Sequence, residues 1–211
     1  MSALDSRALT YLDCYGQRFS TPGQVRYAIT GPLAARLRVD DQPYLLQVAD
    51  QQAAEPQQHD IEVRYENGAF TAVPPELAIS AGDVVLWHAA QAATPPYAVW
   101  GEGEDGSFSS TSLQAEAVYS HAFGSAGDVE WTDMNQSGVG GLIRVHDLDA
   151  TDRDACERWG RVLCEGAVVV VERDRVDLPE LEIVTGQTVF FAVTQSSGMT
   201  VTDATLAIPV R

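Results

Sequence analysis

Two phrases recur in this chain, and their recurrence limits the possible folds more than any other feature. Phe19-Ser-Thr-Pro-Gly23-Gln-Val25-Arg-Tyr27 has the same spacing as Phe123-Gly-Ser-Ala-Gly127-Asp-Val129-Glu-Trp131. Pro179-Glu-Leu-Glu-Ile-Val-Thr-Gly-Gln-Thr-Val-Phe-Phe191 lines up without a gap on Pro75-Glu-Leu-Ala-Ile-Ser-Ala-Gly-Asp-Val-Val-Leu-Trp87. Alternation of Val25, Tyr27 and Ile29 is the period of a half-buried strand. The Gly-Asp and Gly-Gln pairs read as turns between strands. A chain with both phrases doubled is expected to be all-β and internally repeated.

Taken in order, strands are expected at Ala8–Cys14, Gly23–Ile29, Leu37–Val39 and Tyr44–Val48, then at Ile61–Tyr65 before the turn Glu66-Asn-Gly68. Residues 49–59, rich in Gln, Ala and Glu, read as a linker. Residues 148–165 form a second linker that holds a short helix. Thr151-Asp-Arg-Asp154 supplies an N-cap and an acid at N3, and Gly166 ends the helix. Cys156 and Trp159 fall near one face of it. Ala167–Val171 then stands where Ile61–Tyr65 stood.

The stretch from Val73 to Val145 carries a resemblance. Ile79-Ser-Ala-Gly-Asp-Val-Val-Leu-Trp87, Phe123 to Trp131 and Gly140-Gly-Leu-Ile-Arg-Val145 together resemble the cupredoxins, the small copper proteins such as plastocyanin and azurin. The resemblance implies a Greek-key β-sandwich. It also places the copper ligands of the family on Tyr97, Asp133, Gln136 and Val139, with Tyr97 and Gln136 where histidines belong and Asp133 where the cysteine belongs. A blue-copper centre needs a thiolate and two imidazoles. Tyrosine, carboxylate, amide and valine do not provide them, so no copper and no other cofactor is expected. The four positions read as a vestigial pocket. A hydrogen-bonded polar cap is the expected remnant, and a hard-ion or redox site around Asp133, with His121 and Tyr97, is the sharper alternative.

The repeat therefore divides the chain into a central cupredoxin-like domain, residues 60–147, and two outer halves, 8–48 and 166–211. Those halves are expected to complete a second sandwich, either within one chain or by exchange between chains into an oligomer or filament, because a half-sandwich leaves open strand edges.

Composition narrows the partners. The formal charge is −17 and all 13 basic residues are arginine. So acidic a chain is repelled by nucleic acid and by anionic membranes, leaving a protein partner or self-association. Cys14, Cys156 and Cys164 are odd in number and lack C-x-x-C spacing, and the first residues have no basic, apolar leader pattern. A cytoplasmic location is the expectation. Neither a P-loop, an H-E-x-x-H nor a G-x-S-x-G motif occurs, so a non-catalytic structural or interaction role is expected rather than an enzyme.

Overall fold

The computed structural model describes residues 4–35, 41–52, 55–135, 138–149, 151–195 and 197–207. The expected strand at Leu37–Val39 and the site position Gln136 lie outside them. The first part of the chain forms β1 (Asp13–Arg18), β2 (Gly23–Thr30), α1 (Pro32–Ala35), β3 (Tyr44–Gln52), β4 (Gln58–Glu66), β5 (Ala69–Val73), β6 (Glu76–Ala81), β7 (Val84–Ala89), β8 (Ala98–Gly103) and β9 (Gly106–Ser109). Then come β10 (Leu113–Gln114), β11 (Ala117–Ala122), β12 (Gly127–Asp133), β13 (Gly140–His146) and α2 (Arg153–Glu165). The last part forms β14 (Ala167–Glu172), β15 (Arg175–Val176), β16 (Glu180–Val184), β17 (Thr188–Gln195), β18 (Ser197–Met199) and β19 (Val201–Asp203), and a 3-10 turn spans Ala204–Leu206.

The protein is mostly β, in several sheets of mixed parallel and antiparallel pairing. An eight-stranded sheet runs β15-β14-β17-β11-β1-β7-β4-β5, a five-stranded sheet β6-β3-β2-β8-β9, a four-stranded sheet β16-β13-β12-β19, and β10 pairs with β18. The pairing repeats along the chain. β2 lies between β3 and β8 as β12 lies between β13 and β19. β3 and β6 run parallel, as do β13 and β16. β4 runs parallel to β7, and β14 to β17.

This pairing regroups the segments that the sequence suggested. β1, β2 and β3 form ladders with β6, β7, β8 and β11, and with none of the strands from β14 to β19. Within one chain the outer halves 8–48 and 166–211 therefore do not complete each other in a sheet. Each back-half phrase joins the front-half phrase that follows it in the chain, so 60–147 is cut between two strand sets. The connections explain the choice: a short link joins β3 to β4 and α2 joins β13 to β14, and short loops close at least entropic cost. Both recurring phrases are in fact displaced equally, Phe123 standing 104 residues after Phe19 and Pro179 the same distance after Pro75.

Smaller expectations shift too. The first strand begins at Asp13 rather than Ala8, after a turn in which Asp13 N donates to Thr10 O. Ile61 lies opposite Trp87 and Val169 opposite Phe191, so Val169, not Ala167, stands where Ile61 does. A slip of two residues keeps the same face, which is why the apolar pattern did not reveal it. Helix α2 forms as expected, but Asp152 is its N-cap, accepting from the amides of Asp154 and Ala155. Gly166 ends it at φ 64°. Trp159 Nε1 donates to Thr185 O, whereas Cys156 is only half-buried.

The seam of the large sheet is the antiparallel pair β1–β11. Tyr15 lies opposite Tyr119, Asp13 opposite His121 and Gln17 opposite Ala117. Tyr119 follows Tyr15 by the same 104 residues, so each strand meets its own counterpart and the seam has a local twofold character. The leading segments cross this axis. Asp5 bridges Thr202, with Ser6 N donating to Val201 O and Asp203 N to Leu4 O. Its counterpart Ser109, in β9, lies opposite Trp100. Each strand set thus receives its edge segment from the other. Large rings join the sheets: Trp87 meets Tyr27 and Phe108, and Trp131 meets Phe191 at 5.0 Å between centroids.

A buried polar cluster fixes the seam. Asp13, 1% exposed, accepts from Tyr119 Oη at 2.6 Å and pairs with His121 Nδ1 at 2.7 Å. Its other oxygen accepts from the amide and hydroxyl of Thr10. Burial and the neighbouring Asp13 push the Tyr119 phenol well above its ordinary pKa, so it stays a donor. Replacing Asp13 by alanine strands several buried donors, and removing one partner of a buried pair costs roughly 3–5 kcal/mol. Chemical denaturation of Asp13→Ala is expected to show a loss of that size, with His121→Gln losing less.

Candidate functional site

Of the vestigial-pocket positions, Tyr97, Asp133 and Val139 lie among the described residues, and Tyr97 stands apart from the other two. Tyr97 is fully buried beside the first strand set, its backbone exchanging hydrogen bonds with Leu9 and its ring 6.2 Å from Phe70. Its hydroxyl has no hydrogen-bond partner among the described residues. Burial, then Cys14 and Asp13, hold its pKa well above the ordinary value. Asp133 ends β12 in the other set. Its Oδ1 accepts from the amides of Asn135 and Thr200, and its own amide donates to Val139 O. Among the described residues no hydrogen bond or ring contact joins Tyr97 to Asp133. The cause is the ladder: β8, which Tyr97 precedes, pairs with β2, whereas Asp133 ends β12 opposite Val201 of β19. In Tyr97's place the second set has Met199, opposite Leu113 as Tyr97 bridges Leu9.

Asp133 and Val139 do meet, as the two sides of a capped loop. His121, the third residue of the expected alternative site, stands with Asp13, and its ring packs edge-on against Phe123 at 4.8 Å. Among the described residues no group of three His, Cys, Asp or Glu side chains could hold a metal ion. No described cysteine is in a disulfide. No helix is long and apolar enough to cross a membrane.

A different pair carries the more distinctive chemistry. His59 on β4 and Asp83, in the turn between β6 and β7, meet at 2.9 Å between Nε2 and Oδ2. The Asp83 side chain is 3% exposed and that of His59 25%. Asp83 also accepts from the amides of Gln57 and Ser80. Burial alone would raise the carboxyl pKa; these two amides and His59 outweigh it and hold the group below its ordinary 3.8. A groove of about 610 Å³ opens beside the pair, lined in part by Ala49, Glu55, Gln57, Ile79 and Ser80.

The Gly82-Asp83 turn was legible as a turn, but His59 fell inside the expected linker 49–59, where no role was assigned. The sequence does hold one signal. The turns differ at this point, Asp83 against Gln187, and only the paired ladders, His59 opposite Val85 and Ala167 opposite Val189, reveal that Ala167 is the counterpart of His59.

No family model, no curated protein and no solved structure matches the chain.

The lowered Asp83 pKa has a definite consequence. A carboxyl depressed on folding lends stability that is complete above its unfolded pKa and is lost as pH falls through the lower folded value. The stability difference between the protein and Asp83→Asn should therefore shrink as pH falls from about 5 through the ordinary carboxylate range and below it. Urea titrations across pH 2.5–5 check this. A difference that grows between about pH 4 and 2.5 would contradict it.

Proposed function

We propose that the chain is a non-catalytic structural or interaction protein of two cupredoxin-like β-sandwich units without copper. The units run in tandem, the first built around β1 to β8 and the second around β11 to β19, and they exchange their leading segments. Cross-sheet contacts of Trp87 and Trp131 support the sandwich arrangement. The metal or redox alternative needs Asp133, Tyr97 and His121 side by side, and their separate neighbours favour the structural role.

The observation that carries an interaction role is the outer face of the eight-stranded sheet. Its core face holds Tyr15, Trp87, Tyr119, Phe191 and Val169. The opposite face is apolar as well. Leu86, Gly16, Val118, Ala192 and Val170 form one apolar row across five strands, and Cys14, Ser120, Phe190 and Val168 continue the next, which ends on β7 at the polar His88. Val168 is 50% exposed. A sheet facing water normally alternates apolar and polar residues, whereas near-continuous apolar strands such as Ala167–Glu172 and Val84–Ala89 belong to sheets covered on both sides. Two rows over five strands amount to an area on the order of 300 Å², the size at which an apolar patch on a monomer is usually functional.

A second twisted sheet is the natural cover, and another copy of this chain supplies one. The rest of the surface is acidic, and this near-neutral face is where two copies approach with least repulsion. Closure of the ladders within one chain favours association through this face over exchange of terminal halves.

Light scattering across a dilution series tests it. The protein is expected to associate at high concentration. Val168→Glu should weaken that association by about tenfold or more, as expected for a charge placed in a desolvated contact. Leu33→Asp, which changes an exposed residue elsewhere, should not. A constant mass near 22.8 kDa up to millimolar concentration would sink the self-assembly role.

A further inference from the structure

The two strand sets act as an internal control on His59 and Asp83. In the second set Gln187 occupies the turn position of Asp83, and its Oε1 accepts from Val184 N as Asp83 accepts from Ser80 N. Gln187 N and Asp83 N make the same turn bond, to Val184 O and Ser80 O. Gly186 and Gly82 both take left-handed backbone, at φ 91° and 98°. A neutral amide therefore satisfies this turn, and the alanine at 167 satisfies the strand. The fold does not require a buried carboxylate or an imidazole there. The first set carries both.

The second set also differs in what covers the turn. Trp159 donates to Thr185 O, and Leu163 lies so close to Gly186 that a Cβ there would be 3.2 Å from its Cδ2. Helix α2 thus closes this end of the sheets. In the first set no described helix covers the turn, and among the described residues the groove beside His59 is open.

An ionised carboxylate only accepts hydrogen bonds, so the ring nitrogen facing Asp83 must carry a proton. In the neutral imidazole the other nitrogen, Nδ1, then holds a lone pair of fixed direction. Nδ1 has no hydrogen-bond partner among the described residues. The remaining lining groups are acceptors or neutral: the Glu55 carboxylate, the Ser80 hydroxyl and the Gln57 amide. Among the described residues no arginine lines the groove. We infer that this groove binds a small organic cation rich in N–H donors, an alkylguanidinium or alkylammonium, with His59 Nδ1 and Glu55 as its acceptors and Asp83 holding the His59 tautomer. The acidic field of the whole chain concentrates such cations at its surface.

Butylguanidinium and its uncharged isostere N-butylurea are suitable probes, added to the full chain at pH 8 and followed by the His59 ring resonances in NMR. Butylguanidinium is expected to give a saturable shift with Kd of about 1 mM or tighter, reasonable for a ligand this small. N-butylurea should give none at the same concentrations. His59→Ala puts at this strand position the residue the second set has at 167 and leaves Asp83 its two amide donors, so it should keep the fold and weaken binding by about tenfold or more, read on the backbone amides of Gln57 and Ser80. Asp83→Asn keeps an acceptor for the turn while releasing the tautomer, and should weaken binding in the same direction. Equal shifts with both probes, equal affinity in His59→Ala, or no saturation up to about 20 mM would overturn the assignment, since loose cation condensation on an acidic chain produces the latter two.

Discussion

Everything large in this protein hangs on one antiparallel pair of strands. β1 has β7 on one side and β11 on the other, and β11 has β17 beyond it, so the seam turns two separate sheets into one of eight strands. Antiparallel pairing of a segment with its own repeat gives the contact a built-in twofold, with the tyrosines at 15 and 119 on the axis. Symmetry of the backbone is not matched by symmetry of the side chains. One side of the axis has Asp13 opposite His121, hydrogen-bonded and buried; the related side has Gln17 opposite Ala117, with Gln17 bonded to Tyr15 and to the Ala115 carbonyl. A buried polar pair that appears once sets the register of a contact whose apolar rows alone would tolerate slippage.

Much of this was visible in the sequence, and the part that was not has a physical reason. Period-two alternation identified β2, β4 and the paired front strands, and the cap residues and Gly166 located α2. The recurrence of both phrases identified the repeat. The partition of the chain went astray because recurrence says which segments are alike, not which of them pair. The phrase at Phe19 and the phrase at Phe123 have equal claims on the front strands near Trp87. Only the short connection from β3 to β4 decides between them, and that segment read as a featureless linker. The separation of Tyr97 from Asp133 follows from the same partition. Tyr97 and Asp133 share a pocket only if β8 and β12 belong to one unit. The clusters that did form, Asp13 with His121 and His59 with Asp83, join residues 108 and 24 positions apart, with no motif spacing to announce them.

The two repeats have diverged in what they place around a common frame. The first has a long β2–β3 loop and an open end beside His59; the second trades loop length for helix α2, which covers its own turn. Such divergence is expected when one copy of a duplicated unit keeps the frame while the other is free to accumulate a binding surface. The outer sheet face diverges as well. Phe190, Ala192, Val168 and Val170 lie in the second set, whereas the corresponding strands of the first set carry Leu86, His88, Asp60 and Glu62 there.

Exchange of the leading segments ties the two strand sets together. The stretch around Asp5 edges the second set and β9 edges the first, each strapped across the axis from its own repeat. Neither strand set can come apart without stripping an edge from the other, and a tandem array whose members are merely strung together has no such interlock. Fusion through the seam and the straps should make the whole chain one cooperative block, opening in a single thermal transition where a bead-on-a-string duplication would melt in two.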